Sequence, residues 1–284
     1  MSKRAQTMPR PLLKWVGGKG ELLPELLRRV ETIGEFGRYH EPFVGGGALF
    51  FEMVRLGKMP RKKARLSDNN APLVETYLAV REDVDRVISL LLEHKARHDE
   101  KYFYAVRAVV PKDRFARAAR IVYLNKTCFN GLYRENSKGE FNTPMGKYKN
   151  PNICDEPNLR AAAEAFRKAN LSHAHFTAVL DHAEPGDFVY FDPPYHPISK
   201  TSSFTGYDKG GFNEDSQRLL AKTFLDLTQR GVHAMLSNSM TDFVRELYKD
   251  FRMDEVMVRR SINSNAGKRG QIGEVLIRNI IRNF

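Results

Sequence analysis

Short apolar runs, separated by glycine and proline, alternate with amphipathic stretches along much of the chain. The spacing of apolar residues predicts a helix over Leu22 to Val30. A strand is predicted over Tyr39 to Val44, running into Gly45-Gly46-Gly47, and a helix over 48–56 and a strand over 64–66 follow. Strand, glycine-rich turn, helix and strand in this order open a doubly wound α/β sheet.

The middle of the chain has a different pattern from its two ends. Residues from Pro72 to about Arg120 have helical periodicity, and 125–157 are rich in Asn, Gly, Lys and aromatic residues, which is typical of loops. Strand and helix then alternate again. The predicted strands are 188–191 and 232–236, the predicted helices are 214–230 and 241–249, and a closing antiparallel pair is predicted at 251–258 and 274–280. We therefore predict an α/β domain interrupted by a mostly helical insertion.

Size and composition favour an intracellular α/β protein. The chain has 284 residues, 42% of them hydrophobic, which suffices for one sizeable domain with an insertion. Two cysteines, Cys128 and Cys154, suit a reducing compartment and exclude a disulfide framework. No apolar run resembles a signal peptide or a membrane span. We expect a cytoplasmic protein without a membrane partner.

Basic residues are concentrated in two segments. The formal net charge is +12, of which residues 1–20 carry +5 and residues 101–150 carry +8, so the rest sums to −1. Basic segments on a nearly neutral body are typical of nucleic-acid binders. A solvated basic surface is the alternative, and charge alone admits DNA or RNA.

Asp192-Pro193-Pro194-Tyr195 follows the strand 188–191, at the edge of the sheet where α/β proteins bind ligands. Two prolines lack N–H groups and hold the backbone extended, with its carbonyls free to accept. The amine of adenine is a poor nucleophile because its lone pair is delocalised into the ring. If Asp192 and the Pro193 carbonyl each accept one N–H bond, the lone pair is freed to attack a sulfonium methyl group, without a metal. Because the amine is inaccessible within a duplex, the target base would be flipped out and Tyr195 would stack on it. A rigid turn without a catalytic role is the alternative.

Phe43-Val44-Gly45-Gly46-Gly47 is followed by Asp68 at the end of the next predicted strand. Glycine lets the backbone approach a ligand closely, and an acid at that position binds ribose hydroxyls. Phe50 stands where the dinucleotide fingerprint has its third glycine, which argues against a pyrophosphate and hence against a nicotinamide dehydrogenase. S-adenosylmethionine, which has no pyrophosphate, fits better. An ordinary turn is the alternative.

Lys14-Trp15-Val16-Gly17-Gly18-Lys19 is a third motif, combining two lysines, a tryptophan and two glycines. A phosphate loop is excluded because Leu13 and Gly20 stand where that motif needs Gly and Ser or Thr. A basic N-terminal arm with one aromatic residue is the alternative to a ligand site.

In this order and spacing, the motifs resemble the Dam-type DNA adenine methyltransferases of the alpha group, in which the cofactor turn precedes the recognition insertion and the tetrad follows it. The resemblance runs from about Leu13 to Ile280. It implies a doubly wound, Rossmann-like methyltransferase sheet over 1–70 and 158–284, and a mostly helical target-recognition insertion over 71–157. Its further segments are Ser67-Asp68-Asn69-Asn70, Phe129-Asn130-Gly131-Leu132-Tyr133-Arg134, Gly139-Glu140-Phe141-Asn142-Thr143-Pro144 and Val258-Arg259-Arg260-Ser261-Ile262.

The resemblance also implies a role for each matching position. The catalytic residues would be Asp192, Pro193, Pro194 and Tyr195. The S-adenosylmethionine site would comprise Trp15, Lys19, Phe43, Gly45, Gly46, Gly47, Asp68 and Asp192, with no metal. The residues facing DNA would be Lys14, Phe129, Asn130, Leu132, Arg134, Pro144 and Tyr148. At the position where the family often has an acidic residue and an aromatic one, this chain has His175-Phe176.

The implied function is methylation of adenine N6 in double-stranded DNA, with GATC as the target sequence and a cognate restriction endonuclease as a further candidate partner. Arg134 suits a bidentate contact to guanine, although an arginine in a basic loop also binds phosphate. Phe129 is either a wedge between bases or part of a small core. A cytosine-N4 enzyme, which typically has Ser in place of Asp192, an RNA adenine methyltransferase and a catalytically silent DNA-binding relative stay as alternatives.

Overall fold

The computed structural model describes residues 7–15, 17, 19–198, 212–259 and 271–281. Within these residues the chain has an α/β fold whose strands form one seven-stranded sheet. The strands are β1 (Tyr39–Glu41), β2 (Ala64–Asp68), β3 (Ala169–His173), β4 (Phe188–Phe191), β5 (His233–Ser239), β6 (Phe251–Arg259) and β7 (Gln271–Ile281).

Neighbouring strands of the sheet follow the order β3-β2-β1-β4-β5-β7-β6. Strands β1, β4 and β5 run parallel, and β7 pairs antiparallel with both β5 and β6. In the parallel pair β4–β5, Phe191 lies opposite Leu236. The next residues along these strands are Asp192 and Ser237, so the register brings a carboxylate and a hydroxyl together at the carboxyl edge.

Asp, Asn or Thr begins seven of the helices in the described residues. Each of these side chains accepts a backbone N–H from the first turn, which satisfies one of the donors left open at a helix start. The helices are α1 (Leu23–Ile33), α2 (Ala48–Arg55), α3 (Ala71–Glu82), α4 (Val84–Ala96), α5 (Glu100–Ala108), α6 (Arg114–Thr127), α7 (Glu156–Arg167), α8 (Glu214–Gln229) and α9 (Asp242–Leu247).

The predicted fold class is confirmed, and the differences are local. The predicted helical run from Pro72 to Arg120 is four helices, α3 to α6. Strand β1 ends at Glu41 rather than Val44, because the Val44 N–H turns to the carbonyl of Ser67. Helix α7 and strand β3 were not predicted from the sequence.

Contacts divide the chain into two compact units. Unit one consists of Met1–Gly18, Val44–Met59 and Leu66–His173, and unit two of Lys19–Phe43, Pro60–Arg65 and Ala174–Phe284. The predicted insertion over 71–157 lies within unit one, together with the glycine turn at 45–47. The domain boundaries expected from the sequence remain a prediction.

Each unit has a core of its own. In unit one the ring of Phe166 stacks on Tyr77, with centroids 4.7 Å apart, and contacts Phe50 and Phe51. In unit two, buried residues of β4, β5 and α8 pack together, with Phe224 at the centre of an aromatic group. Among the described residues no helix is both long and apolar enough to cross a membrane.

Candidate active site and candidate DNA-binding hairpin

The glycine turn of unit one is held by two side chains from elsewhere in that unit. Gly45 has a φ of +44° and donates its N–H to Asp68 Oδ2 at 3.0 Å. The hydroxyl of the fully buried Tyr77 donates to the Gly45 carbonyl at 2.6 Å. Asp68 Oδ1 accepts the N–H of Asn70. Burial raises the pKa of Asp68, and the N–H groups of Gly45 and Asn70 oppose that rise.

Trp15 forms an aromatic wall beside this turn. A Cβ added at Gly45 would lie 2.8 Å from Trp15 Cδ1, closer than any side chain tolerates. The indole also stacks on Tyr133, with ring centroids 5.2 Å apart and planes inclined by 27°. Glycine at 45 is therefore required both by its left-handed φ and by the ring packed against it.

The carboxylate of the tetrad lies in unit two, with two partners. Asp192 Oδ1 is 2.7 Å from Lys19 Nζ and accepts a hydrogen bond from Ser237 Oγ at 3.0 Å. Burial raises the pKa of Asp192, while Lys19 and then Ser237 oppose the rise because both favour the charged form. The group is thus a carboxylate in a desolvated setting with one cation and one hydroxyl beside it.

Tyr195 has a polar contact at its hydroxyl and another at its ring. Its hydroxyl donates to Glu274 Oε2 at 3.0 Å, and Lys19 Nζ lies 4.5 Å from the centroid of its ring. Burial, followed by the nearby carboxylates Asp192 and Glu274, raises the pKa of Tyr195 well above its usual value. The hydroxyl therefore stays protonated and the ring stays neutral.

Two amide side chains hold the backbone of the tetrad. Gln217 Nε2 donates to the Pro194 carbonyl at 3.0 Å, and Asn238 Oδ1 accepts the N–H of His196 at 2.9 Å. No described residue donates a hydrogen bond to the Pro193 carbonyl. The Pro194 carbonyl is thus engaged, whereas the Pro193 carbonyl has no donor among the residues that the structure describes.

Phe43 belongs to an aromatic group in unit two. Its ring stacks on Phe176 at 5.3 Å and meets Phe212 edge to face at 5.6 Å. His175 lies against Phe176, with ring centroids 4.1 Å apart. The predicted cofactor contact of Phe43 stays a prediction.

The residues expected to face DNA lie together on a hairpin of unit one. The Phe129 N–H bonds to the Pro144 carbonyl, and Asn142 N–H bonds to the Arg134 carbonyl, so 129–134 runs alongside 142–144. Phe129 is 52% exposed, which excludes the small-core role considered from the sequence. Asn130 has a φ of +55°, and the bend that it produces exposes the neighbouring Phe129 ring.

Arg134 is oriented by a neighbour across the hairpin. Its Nε donates to Asn142 Oδ1 at 2.7 Å, and no described residue bonds its two terminal nitrogens. Those nitrogens form a fork suited to two acceptors on one edge. Leu132 is half-buried, and its carbonyl accepts from Thr143 Oγ1.

Lys14 is attached to the same hairpin. Its N–H and carbonyl both bond to the amide of the buried Asn125, which also donates to the Gly131 carbonyl. Its ammonium lies 5.2 Å from the ring of Tyr148, and its methylenes cover Gly131, where a Cβ would be only 2.6 Å away. Unit one therefore brings Lys14 together with the other residues predicted to face DNA.

The residues predicted to bind the cofactor are distributed over both units. Trp15, Gly45–Gly47 and Asp68 are in unit one, whereas Lys19, Phe43 and Asp192 are in unit two. Val16 and Gly18 of the third motif and residues 260–262 of the last matching segment lie outside the described residues. Side chains that support the site but carried no prediction are Tyr77, Asn125, Asn142, Gln217 and Glu274.

Comparison with known proteins identifies the family. A family model described as D12 class N6 adenine-specific DNA methyltransferase matches residues 15–262. The Type II methyltransferase M.MjaIII of Methanocaldococcus jannaschii is 43% identical over 287 residues, covering 95% of this chain and 99% of that protein. The Type II methyltransferase M1.LlaDCHI of Lactococcus lactis subsp. cremoris is 37% identical and covers 95% of each chain. The DNA adenine methylase of Escherichia coli (strain K12) is 34% identical and covers 94% of each chain. The chain therefore belongs to the D12 class of N6 adenine-specific DNA methyltransferases.

Proposed function

We propose that this DNA adenine methyltransferase takes its methyl group from S-adenosylmethionine and transfers it to adenine N6 in GATC, after flipping the base out of the duplex. Asp192 and the Pro193 carbonyl each accept one N–H of the target amine. The observation that carries this proposal is a difference between two neighbouring carbonyls. Gln217 donates to the Pro194 carbonyl, while no described residue donates to the Pro193 carbonyl.

The chain's own residues raise the reactivity of the amine. A carboxylate and a carbonyl, both in place before the base arrives, stabilise the amine as its nitrogen becomes tetrahedral, and little reorganisation is needed. The raised pKa of Asp192, caused by burial, makes it a better acceptor than an exposed Asp. The Tyr195 ring, fixed through Glu274, offers a flat neutral face for the base.

Lys19 contacts both groups that the base would use. Its ammonium lies 2.7 Å from Asp192 Oδ1 and 4.5 Å from the Tyr195 ring centroid. In this position it compensates the partly desolvated charge of Asp192 while no base is present. The entering amine takes its place on the carboxylate, so Lys19 favours an ionised Asp192 at the start of each turnover.

The glycine turn of unit one fits S-adenosylmethionine on structural grounds. Its three glycines have no side chains of their own, Trp15 provides an aromatic face, and Asp68 is a half-buried carboxylate with lone pairs left for ribose hydroxyls. Gly45–Gly47, Trp15 and Asp68 would hold the cofactor, and the contacts expected from the sequence for Lys19, Phe43 and Asp192 stay predictions. When bound, S-adenosylmethionine supplies the methyl group as an electrophilic sulfonium.

The hairpin of unit one supports binding of a specific duplex. Phe129 is an exposed ring at the tip of a turn, suited to filling the gap that a flipped base leaves. The open fork of Arg134 suits the O6 and N7 acceptors of guanine. Lys14, Asn130, Leu132, Pro144 and Tyr148 complete the proposed DNA face.

Labelled S-adenosylmethionine tests the reaction. The protein is incubated with duplexes that differ only in having or lacking GATC, and the product is digested to nucleosides. We expect N6-methyladenine from the GATC duplex alone, and Asp192→Ala should abolish it while leaving DNA binding within a few-fold. Product of N4-methylcytosine, transfer only to RNA, or full activity of Asp192→Ala would contradict the proposal.

A biological role follows from the same product. Two relatives are named Type II methyltransferases, which supports protection of DNA against a cognate restriction endonuclease. DNA from cells that express the protein should resist endonucleases that cut only unmethylated GATC. Unchanged cleavage of that DNA would contradict both the target sequence and the protective role.

A further inference from the structure

The amide side chains of Gln217 and Asn238 lie directly behind the tetrad. We propose that they are positioning residues that set the direction of the Pro193 carbonyl during methyl transfer. The proposal rests on the proposed function, since it requires this carbonyl to accept a proton of the target amine.

The need for such support follows from the sequence of the tetrad. A turn is ordinarily fixed through its own N–H groups, but Pro193 and Pro194 have none. Of the tetrad and the residue after it, the structure ties down the Pro194 carbonyl and the His196 N–H. The two amides bond to these groups and to each other, Asn238 Nδ2 donating to Gln217 Oε1 at 3.0 Å.

The direction of each amide is determined by its backbone partner. The Pro194 carbonyl can only accept, so Gln217 must present its NH₂ group there and its oxygen to Asn238. The His196 N–H can only donate, so Asn238 must present its oxygen there, and the same oxygen accepts the Ser239 N–H at 2.8 Å. The two amides and their backbone partners form a hydrogen-bonded relay in which every donor meets an acceptor. Reversing one amide would place two donors or two acceptors against each other.

The relay sits too deep to act on the base itself. Gln217 is 1% exposed and Asn238 is 0% exposed. Both belong to regular elements, Gln217 to α8 and Asn238 to β5, which are more rigid supports than a loop. A carbonyl one peptide before the anchored Pro194 cannot rotate freely, so the anchors fix where the Pro193 oxygen points.

Substitution of Gln217 tests this inference. Gln217→Met keeps the length of the side chain and removes both hydrogen bonds. We expect kcat to fall about 10- to 100-fold, because small displacements of a catalytic acceptor are costly, with KM for S-adenosylmethionine and for DNA within about threefold. Asn238→Ala should give a similar loss, and the double variant should lose little more than either single one, since both act through the same carbonyl.

Asn279→Ala is the matched control. The amide of Asn279 also bonds two backbone groups of unit two, Ala234 N–H and the Val232 carbonyl, which are not part of the tetrad. We expect this variant to lower the melting temperature while kcat stays within twofold. If Asn279→Ala lowers kcat as much as Gln217→Met does, the effect is one of general stability and the inference is wrong.

Gln217→Glu tests the inference through the pH dependence of kcat, which a purely structural role of Gln217 would not change. An ionised Glu cannot donate to the Pro194 carbonyl, but a protonated one can. Its kcat, relative to the wild type, should therefore rise as the pH falls, and a pH-independent ratio would overturn the inference. This variant also decides the matter if Gln217→Met does not fold.

The two levels of proposal fail differently. Full kcat in Gln217→Met, with Asp192→Ala inactive, overturns the positioning role and leaves the proposed function intact. Activity in Asp192→Ala overturns the proposed function itself.

Discussion

At the scale of single residues, Asp192 has to satisfy opposing requirements. In the proposed mechanism Asp192 must be ionised to hold an N–H of the target amine, yet its burial raises its pKa and so favours the neutral form. Lys19 and Ser237 both favour the charged form and reduce the conflict. If Asp192 accepts the amine N–H, we expect activity to be lost on acidification at a higher pH than for an ordinary aspartate, and we expect that pH to depend on these neighbours.

Removal of the Ser237 hydroxyl should shift this pH. The Ser237 hydrogen bond lowers the pKa of Asp192, so Ser237→Ala raises it and activity is lost at a higher pH as the solution is acidified. The measurement is kcat/KM against pH for both proteins. Ser239→Ala, on the same strand and without a bond to Asp192, should keep the wild-type profile. A downward shift in Ser237→Ala would show that the hydroxyl does not stabilise the carboxylate.

Arg134 is the residue that we propose to read the target sequence. Arg134→Ala should cost about 1–3 kcal/mol of binding and relax discrimination at one base pair of the site. Asn142→Ala, which removes only the orienting bond to Nε, should have the same effect to a lesser degree. Competition binding with single-base variants of GATC measures this, and Lys138→Ala, an exposed charge on the same hairpin, is the control. An equal loss on every sequence would make Arg134 a phosphate anchor.

At the scale of elements, the sequence predicted those parts whose pattern is local. Helix α8, strand β4 and the glycine turn have strong apolar periodicity or distinctive residues, and all were predicted. Strand β3 was missed because it has only two apolar residues, Ala169 and Leu171, and is largely exposed at the sheet edge. Gln217 and Glu274 were missed because they lie 23 residues after Pro194 and 79 residues after Tyr195. Only the fold brings them to the tetrad, so no spacing rule could find them.

The glycine turn gives a prediction at this scale. Gly45→Ala introduces a Cβ that would meet Trp15 at 2.8 Å, in addition to the strain of a positive φ. Gly57→Ala has the same kind of strain, since φ is +67°, but no atom lies within 4 Å of its Cβ. Both should lose about 1–2 kcal/mol of folding stability from the left-handed backbone.

Only Gly45→Ala should weaken S-adenosylmethionine binding, by at least tenfold, because the displaced indole no longer borders the turn. Calorimetric titration of each variant with the cofactor measures this, beside a thermal melt for stability. Equal affinities in the two variants would remove Trp15 and Gly45 from the proposed cofactor site.

At the scale of the whole molecule, charge is distributed unevenly between the units. The segment 101–150, with its surplus of +8, lies entirely in unit one, as does the hairpin proposed to face DNA. Positive charge near the phosphates releases counterions on binding, which makes affinity depend on salt. Charge and hairpin thus indicate the same unit as the DNA-binding one.

Salt titration measures this dependence. The logarithm of the DNA binding constant should fall linearly with the logarithm of salt concentration, and Lys14→Ala should reduce the slope by about 1 if Lys14 contacts one phosphate. Lys249→Ala in unit two, an exposed lysine paired with Glu246, should leave the slope unchanged. An unaltered slope in Lys14→Ala would exclude it from the backbone contacts.

The position of Trp15 has a spectroscopic consequence. It is the chain's single tryptophan, with one side against Gly45 and its ring stacked on Tyr133 of the hairpin proposed to face DNA. Light that excites only indole therefore reports from one known place in the molecule. Cofactor arriving at the glycine turn and duplex arriving at the hairpin would each alter the emission of the same fluorophore, so the order of the two arrivals can be followed in the unmodified protein, in real time and without a label.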